Sequence, residues 1–262
     1  MNMETEDKAP EIFAVCGKGG VGKTCVSALL VKILSLDKSK TVLAIDADPA
    51  VGLSYPLGIQ VYKTVDQIRN ELIEKYEKGE RHDRSELKSW LDYDIFDALQ
   101  EQENIAFLAI GRPETAGCYC KVNSLLKETI KEISNGFDYV VIDAEAGVEQ
   151  INRRVMEMVT HLILVTDVST RSRNIVHTIE ELAQKTISFR KVGVLFNRVQ
   201  SLSDLDSILP DVRLPVIGSL PESELIRQFD RDDRSFFDLP DCDTETMLRR
   251  NLDDFFLDIN FG

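Results

Sequence analysis

One run restricts this chain more than any other: Gly17-Lys18-Gly19-Gly20-Val21-Gly22-Lys23-Thr24. It fits G-x-x-x-x-G-K-[ST], and its flanks have the right character. "EIFAVC" (11–16) before it reads as a buried strand, and "KTCVSALLVKILSL" (23–36) after it has helical spacing at Val26, Leu29, Leu30, Ile33 and Leu34. Strand, glycine loop and helix in that order make a phosphate cradle. Glycines let the backbone curl so that its N–H groups point inward at phosphate oxygens. The helix that starts here adds its positive N-terminal end. In such a cradle Lys23 reaches the β- and γ-phosphates, and the Thr24 hydroxyl ligates Mg²⁺.

The rest of the chain supports a sheet built around that loop. Further apolar runs occur at 41–46, 104–110, 138–143, 161–167, 191–197 and 214–220, with amphipathic stretches between them. Continuous apolar strands alternating with helices imply a parallel sheet covered on both faces. The expected fold is therefore α/β, doubly wound and mostly parallel, with residues 1–262 forming one domain. Residues 61–103 interrupt the rhythm and are expected to be a helical insertion. Its second helix places Trp90, Leu91, Ile95, Phe96 and Leu99 broadly on one side.

Two strand ends carry carboxylates. The second strand runs into Asp46-Ala47-Asp48-Pro49, and "DYVVID" ends at Asp143. Ligands of open α/β sheets bind at the carboxyl ends of strands, so these groups should stand near the phosphates. An apolar strand ending in Asp is the arrangement that holds Mg²⁺ directly or through water.

Charge excludes some partners. The chain has 31 Lys and Arg against 45 Asp and Glu, a net charge of −14. A general nucleic-acid binder needs a basic face, and a membrane-surface helix is rich in Lys and Arg. No apolar run approaches the roughly eighteen residues of a transmembrane helix. The acidic start "MNMETEDKAP" does not read as a secretory signal. With five cysteines, an odd number, the expected location is a reducing cytoplasm.

Two of those cysteines stand one residue apart, in Gly117-Cys118-Tyr119-Cys120-Lys121. Such a pair makes a strained disulfide and reads better as two thiolate ligands. Zinc and Fe–S sites commonly take four thiolates, and no second CxC exists. A two-fold dimer resolves the count, each chain giving Cys118 and Cys120. Thiolates suit Ni²⁺ or Zn²⁺, and the sequence does not choose between them.

Lys18, with the loop "KGGVGKT", resembles the signature of the deviant Walker A ATPases, the SIMIBI class that includes MinD, ParA and the nitrogenase iron protein. The run "GRPETAGCYCKVN", with "DADP" and "DAEAGVEQ", resembles more narrowly the CooC/AcsF type of nickel-insertion ATPase over roughly residues 11–235. That type matures carbon monoxide dehydrogenase or acetyl-CoA synthase. The resemblance implies a face-to-face homodimer holding ATP or ADP, with Lys18 reaching the partner's phosphates. It gives Asp48 the attacking water and Asp46 a supporting place near the Mg²⁺ shell beside Asp143. Gly147 would sense the γ-phosphate, Glu145 is left open, and Cys118 and Cys120 would hold nickel or zinc at the dimer axis. Asn197 matches the residue that reads adenine, followed by Arg198, and "LPESELIRQF" containing Pro221 resembles the loop beside the base. Cys25 stands where a second Ser or Thr is common.

The function so implied is ATP-driven delivery of nickel to an apo-enzyme. Two rivals belong to other classes. An iron protein-like electron donor would hold an inter-subunit Fe–S cluster, but its cluster cysteines are spaced far apart. A MinD- or ParA-like positioning ATPase would bind membrane or DNA, against the acidic charge.

Overall fold

The computed structural model describes residues 9–77, 84–112, 120–144, 155, 159–169, 181, 185, 188–257, 259 and 261. Within them the strands are β1 (Glu11–Gly17), β2 (Val42–Asp46), β3 (Gln100–Gln102), β4 (Ile105–Ala109), β5 (Tyr139–Asp143), β6 (His161–Thr166), β7 (Lys191–Val199) and β8 (Val216–Pro221). They form one sheet in the order β3-β4-β2-β5-β1-β6-β7-β8. Every pairing is parallel except β3 with β4. The doubly wound, mostly parallel sheet expected from the sequence is the one observed.

The apolar runs are continuous because both faces are covered. Along β1, Ile12, Ala14 and Cys16 enter one core while Phe13 and Val15 enter the other. Side chains alternate along a strand, so a strand buried on one face alone would have shown polar residues at every second place.

Among the described residues the α-helices are α1 (Lys23–Leu34), α2 (Ser54–Leu57), α3 (Val65–Glu77), α4 (Arg84–Ala98), α5 (Cys120–Ser134), α6 (Leu202–Ile208), α7 (Glu224–Arg231) and α8 (Asp243–Phe255). One face carries α3, α4 and α5, whose Ile68, Leu72, Leu91, Ile95 and Ile130 are buried. Of the apolar side expected for α4, Leu91 and Ile95 are buried, and Trp90 and Leu99 pack at its margin. Phe96 is 66% exposed and lies off that face: it follows Ile95 by one residue, about 100° round the helix.

The other face carries α1 and α8. Leu248, Leu252 and Phe256 are buried there. Phe256 and Phe261 meet Phe13 edge-on, and His161 stacks on Phe13 with ring centroids 4.8 Å apart. The three phenylalanines belong to the core, and His161 is buried beside them. Lys32 of α1 fixes this helix, donating to Glu245 Oε2 at 2.6 Å and to Leu239 O at 3.1 Å. Among the described residues no helix is long and apolar enough to cross a membrane.

Candidate functional site

The parallel strands end along one edge of the sheet. The glycine loop begins at Gly17, the last residue of β1, Asp46 ends β2 with Asp48 just beyond it, Asp143 ends β5, and Asn197 and Arg198 lie near the end of β7.

The glycine loop is shaped by close approaches. A Cβ on Gly17 would stand 2.1 Å from Val165 O on β6, so only glycine lets the chain leave β1 there. Gly22 caps α1 in the left-handed region, with φ 89° and ψ 29°, and a Cβ there would meet Asn197 Nδ2 at 2.4 Å. Lys23 is only 8% exposed. Its ammonium turns back along the loop and donates to Lys18 O at 3.3 Å.

Two side chains from β7 hold the loop from outside. Asn197 Nδ2 donates to Val21 O at 2.8 Å, and Arg198 Nη1 donates to Gly20 O at 2.8 Å. Carbonyls engaged outward leave the loop's N–H groups free to turn inward, as an anion nest requires.

The same two residues wall an open cleft. Its lining includes Asn197, Arg198 and Pro221, three positions expected near the base, together with Cys25, Asp230 and Thr244. The apolar side chains of Val26, Leu29 and Ile226 give it surface for a flat ring. Burial pushes the Cys25 thiol up to about 12, with Asp230 adding to the effect. It is a neutral wall group.

Two buried carboxylates lie beside the loop. Asp46 and Asp143 are register partners on adjacent strands, 0% and 1% exposed. Burial raises Asp46 to about 7, helped by the charge of Asp143 and opposed by hydrogen bonds from the Leu53 and Asp48 amides. Burial raises Asp143 to about 6, opposed by hydrogen bonds from the Thr24 and Ser27 hydroxyls and by Lys23. The Ser27 bond to Asp143 Oδ1 is 2.9 Å. Ser27 was not singled out in the sequence, although its place three residues after Thr24 puts it on the same side of α1.

This donor set fits Mg²⁺. A hydroxyl and one or two carboxylates, all hard oxygens, are what a P-loop supplies, with phosphates and water completing the shell. A dedicated protein cage is not needed. Among the described residues no three His, Cys, Asp or Glu gather as one.

Cys120 is the first residue of α5. Cys118, Gly147 and Glu145 lie outside the described residues.

The sequence matches the CobQ/CobB/MinD/ParA nucleotide binding domain over residues 12–236. The chain belongs to that family. It is an ATP-binding P-loop ATPase of the MinD/ParA kind, for which nucleotide and Mg²⁺ are expected. Among its relatives is an uncharacterized ATP-binding protein of Methanocaldococcus jannaschii, 37% identical, the match covering 88% of this chain and 92% of the relative. The carbon monoxide dehydrogenase accessory protein CooC of Rhodospirillum rubrum is 30% identical over 88% of this chain and 91% of that one. The septum site-determining protein MinD of Pyrococcus horikoshii, solved with Mg-ADP, shares the fold with a TM-score of 0.65 at 21% identity, covering 95% and 96% of the two chains.

Proposed function

We propose that this ATPase is a dimeric metallochaperone that delivers nickel to an apo-enzyme of the carbon monoxide dehydrogenase or acetyl-CoA synthase type. One observation carries the reading: a CxC pair, Cys118 and Cys120, in a chain that is 30% identical to CooC over most of both lengths. Each chain of a face-to-face dimer contributes two thiolates, and four sulfurs at the axis make a site for Ni²⁺ or Zn²⁺ cargo. We take residues 1–262 as one P-loop domain, with 61–103 inserted into it.

In this reading ATP closes the dimer and its hydrolysis reopens it. Lys23 holds the β- and γ-phosphates. Lys18 of the partner subunit reaches across to them, as an arginine finger does. Asp48 orients the attacking water, and Gly147 senses the γ-phosphate. Asn197, Arg198, Pro221 and Cys25 surround the base. Thr24 and Asp143 would hold Mg²⁺, with Asp46 in a supporting place near its shell; when bound, the ion neutralises charge on the transferring phosphoryl group. Closing and opening change the CxC site, and so capture or release metal.

The test is the Cys118→Ala/Cys120→Ala double variant. It should bind ATP as the parent does and lose stoichiometric nickel. Equal nickel binding by both proteins contradicts the reading. A second reading, a positioning ATPase, is favoured by the fold shared with MinD. Tight binding to liposomes or DNA near physiological salt, with no nickel bound, would select it.

A further inference from the structure

Val51 has a backbone φ of 52°. For a β-branched residue this left-handed conformation is a true outlier, because its side chain crowds the adjacent carbonyl. Such strain persists only where surrounding bonds outweigh it.

Two of those bonds come from one side chain. Asp46 Oδ1 accepts the Asp48 N–H at 3.0 Å, and Asp46 Oδ2 accepts the Leu53 N–H at 2.7 Å. The two amides bracket the strained residue. Between them Asp48 Oδ1 accepts the Ala50 N–H at 2.9 Å, and the Val51 N–H donates to Asp48 O at 3.0 Å. Leu53 is 0% exposed, which anchors the far end in the core. The loop lies against the phosphate loop: a Cβ on Gly52 would stand 3.9 Å from the Thr24 methyl.

We propose that Asp46 is a positioning residue that acts through Asp48: its two oxygens clasp both ends of residues 48–53 against the strain at Val51, and so fix where Asp48 stands. The proposal rests on the reading of Asp48 as the group that orients the attacking water. The clasp uses both carboxylate oxygens, so its role differs from that of a metal ligand. Asn at position 46 keeps the shape but only one acceptor oxygen. One of the two amides then loses its partner, and the strained loop springs open.

The test combines hydrogen exchange of the peptide spanning residues 47–54 with steady-state kinetics on the full chain. Asp46→Asn should speed exchange and lower kcat by about tenfold or more, the scale of a lost charge-assisted hydrogen bond. Nucleotide affinity should change by less than about threefold, because the phosphate cradle is untouched. The decisive variant is Asp46→Asn/Val51→Gly. Glycine occupies the left-handed region freely, so one acceptor should suffice, and both slow exchange and much of kcat should return. Val51→Gly alone should slow exchange in the otherwise unaltered protein. Unchanged exchange in Asp46→Asn would overturn the proposal. So would a kcat that Val51→Gly fails to rescue, which would make Asp46 a direct ligand. If Asp46→Asn does not fold, Val51→Gly alone decides, and exchange no slower than the parent's overturns the spring. Asp48→Ala separates the two readings: retained hydrolysis there removes the water-orienting role of Asp48, while the exchange results still judge the clasp.

Discussion

Asp46 and Asp143 end adjacent parallel strands directly opposite one another, and both carboxyls are buried. Burial strips both of water, and the charge of Asp143 adds to the effect at Asp46, so each holds its proton to higher pH than usual, to about 7 for Asp46 and about 6 for Asp143.

This gives a pH signature with a definite sign. In the unfolded chain both groups lose their protons near pH 4. Between there and neutrality the folded chain binds more protons than the unfolded one. The stability they contribute is therefore complete below about pH 4 and is lost as pH rises through 6 and 7, by up to about 1.4 kcal/mol per pH unit for each proton. Asp46→Asn removes part of that loss. Thermal unfolding of both proteins without nucleotide from pH 5 to pH 8 should show the variant gaining relative to the parent. A difference independent of pH would contradict the paired burial.

Lys23→Ala should weaken ATP binding by about a hundredfold, near 2.7 kcal/mol, because the phosphates lose their nearest cation. Equilibrium binding of a fluorescent ATP analogue reads this directly, and parental affinity would remove Lys23 from the phosphate site. Lys18→Ala should bind nucleotide normally but hydrolyse it about a thousandfold more slowly, the scale of a lost arginine finger. Mixing it with a Lys23→Ala chain should restore some turnover only if Lys18 acts across an interface. No restoration in any mixture would place its action within one chain.

Arg198 combines a left-handed φ of 59° with its bond to Gly20 O. Arg198→Gly relaxes the backbone but removes the guanidinium. It should leave stability equal or better while weakening nucleotide affinity by about tenfold. Calorimetric titration and thermal unfolding together check it. Unaltered affinity would make the Gly20 contact incidental.

The ion pair of Lys32 with Glu245 is nearly buried, its side chains 11% and 15% exposed. Glu245→Ala leaves that cation without its partner and should cost about 3 kcal/mol in denaturant unfolding. Adding Lys32→Met should recover most of the loss. A cost below about 1 kcal/mol, the range of an exposed pair, would contradict it.

What the sequence made legible follows from where information sits in side chains. The phosphate loop and seven strands were readable, and five of those strands, β1, β2, β4, β5 and β6, are buried on both faces and so are almost wholly apolar. The eighth strand, Gln100–Gln102, is polar and sits at the sheet edge. Backbone pairing alone makes it a strand, and that leaves no mark on composition. The contacts made by the far end of the chain were not visible: Phe256 meets Phe13 and His161, and Phe261 meets Phe13. Around the site, Asp46 and Asp143 were found by their places at strand ends, and Asn197 and Arg198 through the family resemblance. Their partners were missed because most are backbone groups: the Leu53 and Asp48 amides and the Val21 and Gly20 carbonyls.

The central claim is that Cys118 and Cys120 of two chains make one metal site. Dimerisation and metal binding must then be linked, each strengthening the other. Anaerobic titration with Ni²⁺, with mass followed by light scattering in the presence and absence of ATP, measures this most directly. The account predicts saturation at one nickel per two chains, with the mass of a dimer at the endpoint. One nickel per chain on a protein that stays monomeric would contradict it.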